Sequence, residues 1–111
     1  MTHEAVGFLR GEIARGGDFR FTGPIGAGKC MIVAHALVDY TEPVIALSRR
    51  EPMTEQFREI CSRAGANNVE HRRVIARKDK LDEICLGYNL VVLQEDMKST
   101  EIDHPNILRI V

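Results

Sequence analysis

A glycine-rich run that ends in lysine is the most chemically specific part of this sequence. Residues 23–30 read Gly-Pro-Ile-Gly-Ala-Gly-Lys-Cys, which has the spacing G-x-x-x-x-G-K. The glycines let the backbone curl until successive N–H groups point inward, and a helix that starts at Lys29 adds the positive end of its dipole. This pattern predicts a site for phosphate groups, whereas an ordinary glycine-rich turn would leave the lysine unexplained. The other residues expected to contact phosphate are Gly23, Gly26, Ala27, Gly28 and Cys30.

Cys30 stands where such loops carry serine or threonine. The hydroxyl group at that position ligates Mg²⁺, a hard cation that prefers oxygen, and a thiol is a poor substitute for it. We therefore expect that Mg²⁺ is either held in a different way or not held at all.

A short apolar strand followed by acidic residues is the second informative stretch. Residues 89–96 read Asn-Leu-Val-Val-Leu-Gln-Glu-Asp. Four consecutive apolar residues predict a buried central strand, and nucleotide-binding sheets place their chemistry at the carboxyl ends of such strands. Glu95 is therefore a candidate catalytic residue, together with Lys29, and we expect these two side chains to lie within reach of each other.

Length and composition limit the class of protein. The chain has 111 residues, which suffices for a single domain over residues 1–111 but not for a lidded kinase or a two-domain motor. Its hydrophobic content of 44% and charged content of 28% are those of an ordinary globular protein. The formal net charge of -1 supplies no overall field that would attract nucleic acid or a membrane, so such a partner would need a local patch.

The cysteines do not form a metal-binding pattern. Cys30, Cys61 and Cys85 contain no C-x-x-C pair, and no histidine lies at metal-ligand spacing. We expect reduced thiols in an intracellular, cytoplasmic protein. No apolar run approaches the roughly 18 residues of a membrane span, and the first residues lack the apolar core of a signal peptide, so no membrane partner is expected.

Helices and strands are expected to alternate along the chain. The expected helices are residues 2–15, 29–40, 52–64 and 78–85, and the expected strands are residues 19–22, 44–48, 69–76, 90–93 and 107–111. This order predicts an α/β three-layer sandwich with a mainly parallel sheet. The strand before the glycine-rich loop should lie next to strand 90–93 or one strand away from it.

The last apolar run presents a difficulty for a fully parallel sheet. Only nine residues, 97–105, separate it from the acidic stretch, whereas a parallel crossover usually needs about a dozen. We therefore expect residues 107–111 to pair antiparallel or at an edge, unless a longer relative carries further elements.

In these motifs the chain resembles the P-loop NTPases, and among them the first RecA-like lobe of superfamily 1 and 2 helicases, viral RNA helicases included. Three pieces carry the resemblance: the loop at 23–30, Ala-Leu-Ser-Arg-Arg-Glu-Pro-Met-Thr-Glu-Gln at 46–56, and Tyr-Asn-Leu-Val-Val-Leu-Gln-Glu at 88–95. The middle piece is similar to a helicase segment in which an arginine-containing turn follows a strand and a helix then carries glutamine. Its spacing is one residue longer than in that family.

The resemblance implies that the loop and Lys29 hold the phosphates of ATP, that Glu95 activates water, and that Arg49 or Arg50 faces a nucleic-acid backbone. Two departures concern the metal. Cys30 and Gln94 occupy the positions of both residues that hold Mg²⁺ in the family. In addition, the three pieces that carry the resemblance do not include the arginine finger that the family's second lobe supplies. A single copy should therefore hydrolyse ATP poorly.

The leading expectation is a minimal, degenerate helicase-type P-loop domain that binds ATP phosphates with weak or absent hydrolysis, in an oligomer or with a larger protein partner. One alternative is an active ATPase or helicase lobe that keeps Mg²⁺ through waters and works with a second chain or lobe. The other is a protein-interaction module that has kept this fold and lost the nucleotide.

A basic cluster is the candidate contact for RNA or DNA. Its members are Arg72, Arg73, Arg77, Lys78 and Lys80, with Arg49 and Arg50 expected on the neighbouring strand end. Such a cluster would bind the phosphate backbone with little sequence preference. The alternative is a solvated surface balanced by nearby acidic residues. No aromatic residues interleave with the cluster, so stacking on single-stranded bases is not expected.

Overall fold

Strands and helices alternate in the computed structural model, which describes residues 3–23, 28–75 and 80–111. The helices are α1 (His3–Arg15), α2 (Lys29–Leu37), α3 (Glu51–Ala64) and α4 (Leu81–Cys85), and a 3-10 turn covers Glu95–Met97. The strands are β1 (Gly17–Phe21), β2 (Val44–Ser48), β3 (Val69–Arg73), β4 (Leu90–Leu93) and β5 (Asn106–Ile110).

All five strands form one parallel sheet in the order β1-β5-β4-β2-β3. The predicted α/β class and the predicted parallel alignment of β1, β2 and β4 are therefore confirmed. A single strand, β5, separates β1 from β4, which agrees with the predicted spacing of the loop strand from the strand before Glu95. The carboxyl ends of these strands consequently meet at one edge of the sheet.

The prediction for the last strand is wrong. β5 pairs parallel with both β1 and β4, and so it lies inside the sheet rather than at its edge. The crossover begins at Gln94, directly after β4, and therefore has twelve residues, 94–105, which is about the length that a parallel connection needs. Met97 and Ile102 of this segment pack against the sheet, so the connection forms part of the core without a long helix.

Alternate residues of the central strands enter two separate apolar clusters. Val44 and Ala46 of β2 pack with residues of α1, α2 and α3, whereas Ile45 and Leu47 pack with residues of α4 and the 3-10 turn. Every residue of β2 and β4 is buried, as expected for strands covered on both faces. The sheet thus has helices on both faces, which fits the layers of a three-layer α/β sandwich.

The boundaries of several elements differ from the predicted ones. α2 ends at Leu37 instead of about residue 40, β1 starts earlier, at Gly17, and α4 starts only at Leu81. β3 ends at Arg73, and the expected continuation to residue 76 lies partly outside the described residues.

A buried arginine joins β5 to β1 and to the crossover. Arg109 is only 7% exposed. Its guanidinium group donates to both carboxylate oxygens of Asp18, with Nε 2.8 Å from Oδ1 and Nη2 2.9 Å from Oδ2. Its Nη1 atom donates to the carbonyl oxygens of Lys98 and Thr100. A single cation on β5 therefore satisfies acceptors from two other segments, β1 and the crossover, which offsets the cost of its burial.

We expect Arg109→Ala to lower the free energy of unfolding by about 3 kcal/mol, because it leaves these acceptors without their donor. Arg109→Lys should recover only part of the loss, since an ammonium group cannot reproduce the planar fork. The control is Arg20→Ala, which removes an exposed arginine paired with Arg109 in the sheet register and should change stability by less than about 0.5 kcal/mol. Urea denaturation measures all three, and equal losses for Arg20→Ala and Arg109→Ala would contradict the interpretation.

His71 of the edge strand β3 packs beneath α3. Its ring meets Phe57 edge to face, with the ring centroids 5.5 Å apart, and its Nδ1 atom is buried with no hydrogen-bond partner in the described part of the chain. Burial first, and then the charge of Arg58, lower the pKa of His71 to about 4, with Glu55 opposing the shift. The imidazole is therefore neutral in the folded protein at neutral pH.

We predict that the protein loses stability between about pH 6.5 and pH 4. In this window the unfolded chain binds a proton at His71 that the folded chain does not, so the free energy of unfolding falls as the pH falls. The slope from this residue should reach at most about 1.4 kcal/mol per pH unit. Urea midpoints measured at pH 5 and pH 7 should differ less in His71→Phe than in the native chain, and an unchanged difference would exclude His71 as the cause.

Candidate functional site

The helix α2 begins directly after the glycine-rich loop. Gly28, which precedes its first residue, has φ +72°, a left-handed conformation that glycine adopts without steric cost. The N–H groups of the first turn of α2 have no carbonyl partner within the helix, because their acceptors would lie before its start. Gly26 and Ala27 lie outside the described residues. Their predicted contacts with phosphate stay predictions, as does that of Gly28.

Lys29, in this first turn, is only 8% exposed. Its Nζ atom donates to the carbonyl oxygen of Gly23 at 3.0 Å and to the oxygen of Val111. The same atom lies 3.5 Å from Oε1 of Glu95. Gly23 follows β1, Val111 follows β5 and Glu95 follows β4, so the ammonium group joins the ends of three adjacent strands.

Glu95 starts the 3-10 turn after β4, and its side chain is 51% exposed. Its predicted proximity to Lys29 is confirmed by the 3.5 Å separation. This proximity follows from the sheet order, because β1 and β4 run parallel with β5 between them. A carboxylate and an ammonium group thus share the edge of the sheet where nucleotide-binding folds place their ligands.

Cys30 and Gln94 flank this pair. Burial raises the pKa of the Cys30 thiol, the Glu95 carboxylate raises it further, and Lys29 opposes the shift, so the thiol stays protonated at neutral pH. Gln94 is 2% exposed, and its backbone N–H donates to the carbonyl oxygen of Leu47 at 3.1 Å. A protonated thiol and a neutral amide do not fit Mg²⁺, which prefers charged oxygen ligands.

A cavity of about 210 Å³ opens beside the Lys29–Glu95 pair. Its polar lining comes from Cys30, Gln56, Gln94 and Glu95, and its apolar lining from Met53, Phe57 and Ile60. The three sequence pieces noted above therefore meet at one cavity: the loop contributes Cys30, the middle piece contributes Gln56, and the last piece contributes the residues after β4.

Asp96, the second member of the acidic pair after β4, makes contacts that the sequence did not indicate. Its Oδ2 atom accepts hydrogen bonds from the backbone N–H groups of Arg49 at 2.9 Å and Arg50 at 3.1 Å. These two hydrogen bonds connect the arginine-containing turn after β2 to the turn that carries Glu95. The position of Asp96 next to Glu95 was the available sequence signal, but nothing local indicated which N–H groups it would accept.

Arg49, Arg50, Arg72 and Arg73 of the basic cluster lie at the carboxyl ends of β2 and β3. Lys80 instead directly precedes α4, where its Nζ atom lies 3.9 Å from Oε1 of Glu83. Arg73 donates from Nε to the carbonyl oxygen of Arg49 at 3.2 Å, and Arg49 donates to Oγ1 of Thr100 at 3.3 Å. Arg50, Arg72 and Arg73 are exposed. Arg77 and Lys78 lie outside the described residues, so their part in the cluster stays a prediction.

Across residues 3–23, 28–75 and 80–111, no group of three or more histidine, cysteine or acidic side chains is arranged to hold a metal ion. Among the described helices, none combines the length and the apolar character that crossing a membrane requires. Comparison of the chain with protein-family models, with curated protein sequences and with solved structures found no match in any of the three.

Proposed function

We propose that this chain is a degenerate, helicase-type P-loop domain of RecA-like type that binds the phosphate groups of ATP and hydrolyses ATP weakly or not at all. One observation carries the proposal. Lys29, at the start of the helix after the glycine-rich loop, and Glu95, after a buried parallel strand, lie 3.5 Å apart at the carboxyl edge of the sheet. This pairing of a cation with a carboxylate is what phosphate binding and water activation at one site require.

A phosphate would compete for the ammonium group of Lys29. Two of its present partners are the neutral carbonyl oxygen of Gly23 and the oxygen of Val111, and the third is the carboxylate of Glu95. Glu95 is half exposed, so its side chain can turn into solvent while the buried ammonium group keeps its other contacts. The N–H groups of the first turn of α2 would add donors to the phosphate oxygens.

The same residues account for weak hydrolysis. The neutral thiol of Cys30 and the neutral amide of Gln94 offer no hard ligand, so the negative charge that develops on the phosphate has few stabilising groups. Glu95 could act on a water molecule only after it leaves Lys29. We therefore expect this site to keep phosphate binding to a greater extent than ATP hydrolysis.

An active lobe that works on nucleic acid is the second candidate. Arg50, Arg72 and Arg73 are exposed at the same edge of the sheet as Lys29, where a phosphate backbone could pass. Under this alternative, RNA or DNA should stimulate ATP hydrolysis, and the stimulation should fall with salt. A nucleotide-free interaction module is the third candidate, since protein oxygens already surround the ammonium group of Lys29.

Calorimetric titration with ATP, with and without Mg²⁺, tests the proposal. We expect binding whose Kd changes by less than about threefold when Mg²⁺ is chelated, because the phosphates are held by N–H groups and Lys29. The double variant Cys30→Thr with Gln94→Asp should make binding depend on Mg²⁺ by about tenfold or more, since a hydroxyl and a carboxylate restore oxygen ligands. Each single variant should do less, because both ligands act on one ion.

Two outcomes would replace the proposal. Robust Mg²⁺-dependent turnover by the native chain would favour the active lobe, and nucleic acid should then be added to the assay. Absence of ATP binding under both conditions, in a chain that circular dichroism shows to be folded, would favour the interaction module.

The variant Glu95→Gln should bind ATP about fivefold more tightly than the native chain, because it removes a negative charge beside the phosphates and a competitor for Lys29. Glu101→Gln is the matched control, since it removes the same charge from an exposed position on the crossover. It should leave the Kd unchanged when measured by the same titration. Weaker binding by Glu95→Gln would show that Glu95 supports the phosphate site instead of competing with the ligand.

A further inference from the structure

β1 is an outer strand of the sheet, and within the described residues no strand lies on its far side from β5. The carbonyl oxygen of Phe21 accepts from the N–H of Val111 after β5, so the backbone groups of Phe21 face β5. Because successive residues of a strand direct their backbone groups to opposite sides, the N–H and C=O groups of Asp18 and Arg20 face away from β5. An open strand of this kind is a template for pairing with another chain.

The outer side of β3, at the other end of the sheet, is partly covered. Val74 donates its N–H to Ser48 of β2, so the backbone groups of His71, three residues earlier, point away from β2. The carbonyl oxygen of His71 accepts from Nη2 of Arg58 at 3.3 Å. A side chain therefore occupies an acceptor in the middle of this outer strand, which makes β1 the more open side of the sheet.

The charges of β1 are complementary to those of a second, antiparallel β1. Asp18 and Arg20 are both exposed, and when two such strands pair about Phe19, Asp18 of each copy lies directly opposite Arg20 of the other. These are also the residues whose outward backbone groups would form the hydrogen bonds between the strands. Opposite charges stabilise such a cross-strand pair, whereas in-register parallel pairing would place like charges together. Asp18 also pairs with Arg109, but its half-exposed side chain leaves room for a second cation.

An exposed aromatic pair lies at the centre of the same strand. Phe8 of α1 meets Phe19 edge to face, with the ring centroids 6.1 Å apart, and Phe8 is 58% exposed. Antiparallel pairing about Phe19 makes the two copies of this residue a non-hydrogen-bonded pair, in which side chains approach most closely. Each Phe8 would then lie beside the contact and lose part of its exposed apolar surface.

We propose that two copies of this chain associate through antiparallel pairing of β1, centred on Phe19, which joins their sheets into one continuous sheet. The carboxyl edges of the two sheets then point in opposite directions, so the Lys29–Glu95 pairs of the two copies lie at opposite edges. Neither copy contributes to the other's candidate phosphate site. Association is therefore independent of ATP, and the failure of this proposal would leave the proposed function untouched.

Sedimentation equilibrium of the native 111-residue chain, over a range of concentrations, tests the association. We expect a monomer–dimer equilibrium whose Kd does not change with ATP. Arg20→Glu should raise the dimer Kd at least tenfold, because it places like charges opposite each other twice in the symmetric pair. Arg72→Glu is the matched control, since it reverses the same charge at an exposed position of β3, and its effect should stay below threefold. A native chain that stays monomeric, or an equal effect of the two variants, would overturn the proposal.

Phe8→Ala tests the aromatic contact in the same measurement. It should raise the dimer Kd about tenfold while the urea midpoint of the chain changes little, because more than half of the Phe8 side chain is exposed in the single copy. Leu86→Ala is the control, since it removes a still more exposed apolar side chain, 75% exposed, after α4. Equal Kd values for these two variants would exclude Phe8 from the interface.

Disulfide trapping tests the register of the pairing. At its centre the two copies of residue 19 should have Cα atoms about 4.5 Å apart, which a disulfide can bridge, whereas the two copies of residue 20 lie on opposite sides of the two-fold axis and beyond that range. Phe19→Cys should therefore form a covalent dimer with oxidised glutathione faster than Arg20→Cys, on a non-reducing gel. Equal rates, or faster trapping of Arg20→Cys, would overturn the pairing about Phe19.

Discussion

A buried ammonium group holds the carboxyl edge of the sheet together. Lys29 reaches the oxygen of Gly23 after β1, that of Val111 after β5 and the carboxylate of Glu95 after β4. These are the ends of three neighbouring strands, and their alignment is what brings one side chain within reach of all of them. Because a buried cation without acceptors would be costly, the loop, β5 and the turn after β4 must keep their relative positions.

The buried ammonium group of Lys29 also determines which ligand the site could bind. The ammonium group of Lys29 holds the strand ends together, and it is also the group that would contact a phosphate in the proposed site. The stability of the fold and the binding of a phosphate would therefore depend on the same positive charge. Glu95 can be exchanged for a ligand because it is half exposed, whereas the neighbouring positions Cys30 and Gln94 are largely removed from solvent and carry no charge. In the proposed phosphate site, these neutral neighbours would favour retention of an anion over the charge separation of hydrolysis.

Buried polar groups around the sheet differ in how well they are satisfied. Arg109 pairs with Asp18 and two carbonyl oxygens, and Asp96 accepts two backbone N–H groups from the turn after β2. In contrast, Nδ1 of His71 and the second carboxylate oxygen of Asp96, Oδ1, are buried without a hydrogen-bond partner in the described part of the chain. Arg109 therefore holds the crossover against β1, and Oδ2 of Asp96 holds the turn after β2 against the turn that carries Glu95.

Local patterns in the sequence determined the elements and the identity of the central charge. The apolar runs of β2 and β4 predicted buried parallel strands, because a strand that is covered on both faces needs consecutive apolar residues. The glycine-rich spacing selected Lys29, because a loop of this conformation needs glycines at fixed positions before the lysine. The position of β5, the partners of Asp96 and Arg109, and the cavity beside Gln94 were decided only by the tertiary structure. They depend on which strand ends become neighbours, and that choice is made by packing between residues far apart in the chain, on which local periodicity carries no information.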